Sequence, residues 1–238
     1  MSGQWDLIEP HLPRDHANQV RSTHYIGEIQ GRVPKDAIVL DLGCGVGRSR
    51  ADFLKAMPHC SWIGVDIIGS PEVLGREGHV PNLVSYDGTQ LPFGDASLDC
   101  VYSNQVLEHV RYPDAVLSEV ARVLKPDGLF IGSTSHLEPY HSYSYWNFTP
   151  WGFGVLAADA GLEVLELRPG IDGITLIERA YKGRPPEMSR FFGESSPLNT
   201  EIDEWGGSTK RKPAQVNNRK LQFCGQFSFL VRRPSDAA

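Results

Sequence analysis

The sequence predicts an α/β fold: a parallel sheet covered by helices on both faces. Three observations carry this. Short apolar runs alternate with helical stretches between about residues 37 and 135, a glycine-rich turn closes the first run, and carboxylates end the first three runs. The 238 residues, 40% hydrophobic and 22% charged, supply the core of one large domain over 1–238.

Residues 1–34 are polar and read as a helical N-terminal cap, with a helix around Asp15 to Gln30. "AIVLDL" is the first strand and "RSRADFLKAM" the helix after it. "SWIGVDI", "NLVSYD" and "SLDCVYSN" are the next three strands. In "PDAVLSEVARVL" the apolar residues Ala115, Val116, Val120, Val123 and Leu124 recur at helical spacing, and "KPDG" stops that helix by turn chemistry. "LFIGST" is the fifth strand. "TPWGFGVLAADAG" reads as a helix with Thr149 as N-cap, Pro150 at its first position and Gly161 closing it. "LEVLELR" and "LQFCGQFSFLVRR" are two late strands. Gly183 to Lys220, poor in apolar residues and rich in Pro, Gly, Ser and charge, reads as a long excursion serving as a lid or acceptor-side wall.

A formal charge of −6 argues against nucleic-acid or anionic-membrane partners. The N-terminus lacks the basic start and apolar core of a signal peptide, and no apolar run approaches the roughly 20 residues of a bilayer span. The four cysteines form no CxxC pair, which fits a reducing cytoplasm.

"VLDLGCGVGR" places Gly43, Gly45 and Gly47 at the first strand-to-helix turn, where absent Cβ atoms let a ligand approach the backbone. The dinucleotide fingerprint GxGxxG does not match, because Arg48 stands where its third glycine belongs. Asp66 follows Gly43 by 23 positions (66 − 43), about the offset at which a carboxylate accepts ribose hydroxyls. Asp87 ends the third strand, where it could read an adenine amino group. Each alone is equally a turn or helix cap; Asp41, Asp66 and Asp87 on three successive strand ends form a site.

Together "VLDLGCGVGR", "GVDI", "DGTQLPFGDASLDCVYSNQVLEHV" and "EVARVLKPDGLFIGS" resemble the ordered motifs of class I S-adenosylmethionine-dependent methyltransferases, in the small-molecule subgroup that includes the ubiquinone and menaquinone enzymes. The resemblance implies a Rossmann-like, mostly parallel sheet of seven strands with an antiparallel edge, and a cofactor-binding core over 37–135. It also implies S-adenosyl-L-methionine as cofactor. Gly43, Gly45 and Gly47 would shape the loop under its methionine part, with Asp41 nearby. Asp66 would hold the ribose, Ile67 would pack on the adenine, Asp87 and Gly88 would flank it, and Asn104 and Gln105 would lie beside the methionyl group.

"SHLEPYHSYSYWNFTPW" leaves the fifth strand at the cofactor end. Residues 136–161 and 183–220 are therefore expected on the acceptor side. An alcohol acceptor needs a base, and histidine suits that role: His141 first, then His136, with His109 a weaker choice that caps or packs. Glu138, Tyr140, Tyr143, Tyr145 and Trp146 would form a substrate wall whose apolar faces and polar tips suit sugar rings, and "EPYHSYSYWNFTPWGF" resembles a segment of some bacterial glycan-biosynthesis methyltransferases. The same aromatics could instead cover the core or face a homodimer partner. His136, Glu138 and His141 could bind magnesium or manganese, although no established ligand motif matches. The resulting expectation is an O-methyltransferase of a small hydroxylated acceptor, a carbohydrate foremost. The alternatives are N- or C-methylation of a secondary metabolite or quinone precursor, or cofactor binding without catalysis.

Overall fold

The computed structural model describes residues 2–69, Leu74 and 82–235. Its strands are β1 (Ile38–Leu42), β2 (Ser61–Ile67), β3 (Leu83–Tyr86), β4 (Leu98–Asn104), β5 (Leu124–Ser135), β6 (Glu163–Pro169) and β7 (Gln226–Arg232). They form one seven-stranded sheet in the order β3-β2-β1-β4-β5-β7-β6. The pairs from β3 to β5 are parallel, and β7 runs antiparallel to both β5 and β6. This is a Rossmann-like sheet with the expected antiparallel edge. Among the described residues no helix is long and apolar enough to cross a membrane.

Strand alternation divides the core into two. Leu40, Val101 and Phe130 point into one apolar cluster, while their neighbours Val39, Tyr102 and Ile131 point into the other. Burial on both faces explains why these strands read as continuous apolar runs.

The helices are α1 (Ser2–Ile8), α2 (His24–Glu28), α3 (Ser49–Ala56), α4 (Pro113–Val123), α5 (Pro150–Asp159), α6 (Gly173–Tyr181), α7 (Pro197–Ser208) and α8 (Pro213–Phe223). Helix α5 follows the sequence reading closely: Thr149 Oγ1 accepts from Gly152 N at 2.9 Å, and Gly161 takes φ +78° after its end. At "KPDG" helix α4 stops at Val123, and Asp127 turns with φ +61°.

Three expectations need correction. The helix around Asp15 to Gln30 shrinks to α2, because residues 15–20 are held extended across the strand ends. Arg168 clamps the Asp15 carboxylate at 2.9 and 3.0 Å, and Val20 N donates to Pro169 O. The excursion Gly183 to Lys220 is helical: a 3-10 helix over Pro186–Phe192, then α7 and most of α8. Its prolines stand at helix starts, where a missing N–H costs nothing. Finally, Leu221–Phe223 ends α8 rather than opening the last strand.

Candidate functional site

A cavity of about 640 Å³ opens at the carboxyl ends of β1, β2, β3 and β4, where ligands settle in sheets of this kind. Its wall begins at the glycine turn. Gly43 has φ +72°, and a Cβ there would stand 2.4 Å from Val106 Cγ2, so only glycine fits. Gly43 N and Cys44 N both donate to Val65 O, pinning the turn to β2.

Asp66 lies under the loop. Its two oxygens accept from Gly45 N at 2.7 Å and Ile67 N at 2.8 Å, so it shapes the cradle as well as facing it. Each carboxylate oxygen can accept a second bond, which leaves capacity for a ribose hydroxyl. Asp87 is fully exposed. Three donors, Thr89 Oγ1, Thr89 N and Gln90 N, converge on its Oδ1 and hold its carboxyl below the usual range. No described residue bonds its Oδ2, which can still accept an amino group. Ile67, half open to solvent, and Gly88 complete this end.

Beyond Val106 the wall is formed by Asn104, Gln105, His109, Val110, Arg111, His141, Ser142 and Tyr143. Gln105 Nε2 donates to Ser133 Oγ, whose own hydroxyl donates to Asn104 Oδ1, so the two amides are anchored on β5. Gln105 and Ser142 hold left-handed φ values of 55° and 47°, a strained backbone at two points of one cavity.

The residues expected at the site separate into two groups. Gly43, Gly45, Asp66, Ile67, Asp87, Gly88, Asn104, Gln105, His141 and Tyr143 line the cavity. Asp41 and Gly47 lie off it. Asp41 is buried beneath the loop and bonded by Ser49 Oγ, which Trp62 Nε1 also reaches; burial pushes its carboxyl up to about 7. His136 is also off the cavity: its N–H donates to Gly225 O, and burial lowers its imidazole. Tyr140, Tyr145 and Trp146 stay on the surface, Tyr140 at 89% exposure, with Trp146 Nε1 donating to Val110 O. No part of 183–220 lines the cavity.

Sequence reasoning missed Glu108. It is fully buried, with Thr134 Oγ1 donating to one oxygen and Ser135 Oγ 3.2 Å from the other, and burial, reinforced by the charge of Glu138, pushes it up to about 7. The backbone N–H groups of Tyr145 and Trp146 both donate to Glu108 O, which locks the loop after β5 against the turn after β4. The adjacent His109 meets His141 edge to face at 5.1 Å. Glu108, His109 and His141 each bring a ligand atom within 4.8 Å of the others, replacing the expected set of His136, Glu138 and His141. Glu138 stays close, 3.8 Å from His141 Nδ1, and is fixed by Ser135 Oγ at 2.7 Å and Gln226 Nε2 at 2.9 Å. The only sequence signal was the adjacency of Glu108 and His109 in "LEHV".

Residues 40–132 match a family described as "Methyltransferase domain". This stretch is an S-adenosylmethionine-dependent methyltransferase domain. The glycine cradle that a Cβ would fill and the accepting carboxylates of Asp66 and Asp87 fit that cofactor. The chain is 32% identical over 117 residues to the sterol 24-C-methyltransferase erg6 of Aspergillus fumigatus, covering 46% of this chain and 30% of that protein. It is 29% identical over 155 residues to the malonyl-[acyl-carrier protein] O-methyltransferase of Laribacter hongkongensis, covering 60% and 45%. The chain thus spans less than half the length of these two relatives. In fold, the methyltransferase domain resembles the Haemonchus contortus phosphoethanolamine N-methyltransferase 2 bound to phosphomonomethylethanolamine and S-adenosylhomocysteine. The TM-score is 0.54 at 17% identity, covering 90% of this chain and 53% of that one.

Proposed function

We propose that the chain is a cytoplasmic O-methyltransferase of the small-molecule class, acting on a hydroxylated acceptor with sugars and oligosaccharides as the leading group. The observation that supports it is the His109–His141 pair, which lines the cavity beyond Gln105 while the cofactor-type carboxylates line the other end. The cofactor supplies an activated methyl group on a sulfonium. The residues must then align the acceptor and remove its proton.

His141 takes that proton. Nδ1 lies 3.4 Å from Pro139 O, which orients the ring, and Glu138 at 3.8 Å stabilises the imidazolium that forms, itself held by Ser135 and Gln226. Tyr143 supplies an apolar face with a hydroxyl tip. The closeness of Glu108, His109 and His141 favours a second reading, in which these three hold a magnesium or manganese ion that lowers the pKa of the hydroxyl. N- or C-methylation also requires a proton to leave the acceptor, so the choice among them rests on which acceptor is methylated.

The test is transfer of a labelled methyl group to a panel of sugars, phenols and amines. His141→Ala should keep cofactor affinity and lose about 10²–10⁴-fold in turnover. Activity that survives chelation assigns His141 as base. Activity abolished by chelation and restored by manganese assigns the ion. Near-normal turnover in both His141→Ala and His109→Ala would refute both readings.

A further inference from the structure

The cavity is divided by charge. Its described carboxylates, Asp66 and Asp87, stand at the end formed by β2 and β3. The opposite end carries Arg111, His109 and His141 together with the hydroxyls of Ser142 and Tyr143, and no described carboxylate lines it. The two described acids nearby face other partners. Glu108 accepts from Thr134, and Glu138 accepts from Ser135 and Gln226 behind His141.

Arg111 has no such partner among the described residues. Among the described residues it forms no ion pair, and its only contact of this kind is with the Tyr112 ring, 5.3 Å from the guanidinium carbon. That contact, between two exposed side chains, leaves the charge unneutralised and the N–H fork open. On a chain of charge −6, a cavity-lining arginine with no ion pair among the described residues is a binding feature for an anion.

We infer that the acceptor carries an oxyanion, a carboxylate or a phosphate, held by Arg111 with imidazole and hydroxyl donors beside it. This rests on the reading that the far end of the cavity receives the acceptor, and it makes Arg111 the specificity-determining residue. A bidentate guanidinium on one side and the hydroxyl to be methylated at His141 on the other would fix the acceptor at two points.

The experiment compares pairs of probes that differ only in the anion: glucuronate and glucose 6-phosphate against glucose, and 4-hydroxybenzoate against phenol. Binding to protein saturated with S-adenosylhomocysteine is measured by calorimetry. The charged member of at least one pair should bind roughly 10- to 100-fold more tightly. Arg111→Gln should reduce that ratio to within about 3-fold, and Arg111→Lys should restore part of it, with S-adenosylhomocysteine affinity unchanged in both. Whichever of glucuronate and glucose 6-phosphate shows the larger ratio identifies carboxylate or phosphate. Equal binding in every pair, binding by neither member of any pair, or a ratio untouched by Arg111→Gln would overturn the proposal. An intact anion preference without methyl transfer to any hydroxyl would instead refute the proposed reaction and leave this inference standing.

Discussion

Asp41 shows how far a residue's role can be read from its position alone. The sequence places it one strand end from the cofactor, and it is there, but beneath the loop as a strut rather than in the wall. Its titration is a measurable consequence. Burial, helped by the nearby charge of Asp66, raises its folded-state pKa to about 7, against about 4 for an unfolded Asp. Between those values the native protein binds the proton and the unfolded chain has released it, so stability falls as pH rises through the window. Asp41→Asn does not titrate there. Urea denaturation without cofactor should show the variant gaining on the wild type from about pH 4 to 7, by about 2–4 kcal/mol in all, and then levelling. A pH-independent difference would mean that the carboxyl stays ionised. The two candidate base histidines teach the same lesson. His136 and His141 share a loop and a chemistry, and the backbone bond from His136 N to Gly225 O and the hydrogen bond between the Phe148 backbone and the His136 imidazole separate them. Neither fact is local in sequence.

Elements whose signals are local were legible. The first six apolar runs, the glycine turn and the Thr149 cap depend on neighbours a few residues away, and each stands where the residues indicate. The cap can be tested: Thr149→Ala removes the acceptor of Gly152 N and should cost about 1 kcal/mol, read as a fall of about 2–4 °C in Tm. An unchanged Tm would mean that Pro150 alone sets the start of α5. Residues 183–220 were misread because their prolines were taken as loop punctuation. Pro186, Pro197 and Pro213 each open a helix, and the apolar residues that bury it are few: Met188, Ile202, Ala214, Val216 and Leu221. Polar side chains do the rest. Asn199, Asn217 and Lys220 are fully buried, and their partners are backbone carbonyls from distant segments together with Gln19 and Asp203. Composition reads such residues as solvated.

At the scale of the molecule those polar side chains fasten the beginning of the chain to its end. Lys220 Nζ donates to Ala17 O and to Asp203, both at 2.7 Å; Asn217 reaches Pro13 O and His16 O; Gln19 is bonded by Ser196 and Asn199. Lys220→Met should leave Asp203 and a buried carbonyl without their donor and cost about 3 kcal/mol in chemical denaturation. Hydrogen exchange should quicken over residues 13–21, and a variant as stable and as protected as the wild type would show the clasp to be ornamental.

The placement of β7 has a further consequence, for synthesis. Strand β7 is made after both β5 and β6 yet lies between them, so residues 226–232 must enter a gap between partners made some 60 to 100 residues earlier. Until then the nascent chain holds a five-stranded sheet with β5 as an open edge and β6 unpaired. The cradle made by Gly43, Asp66 and Asp87 is complete by that stage, since every element under it lies before residue 136. Gln226, which fixes Glu138, arrives only with the final strand. A growing chain can therefore assemble its nucleoside pocket before its proton-handling apparatus. The open β5 edge is then the surface most at risk of pairing with a neighbouring polysome product.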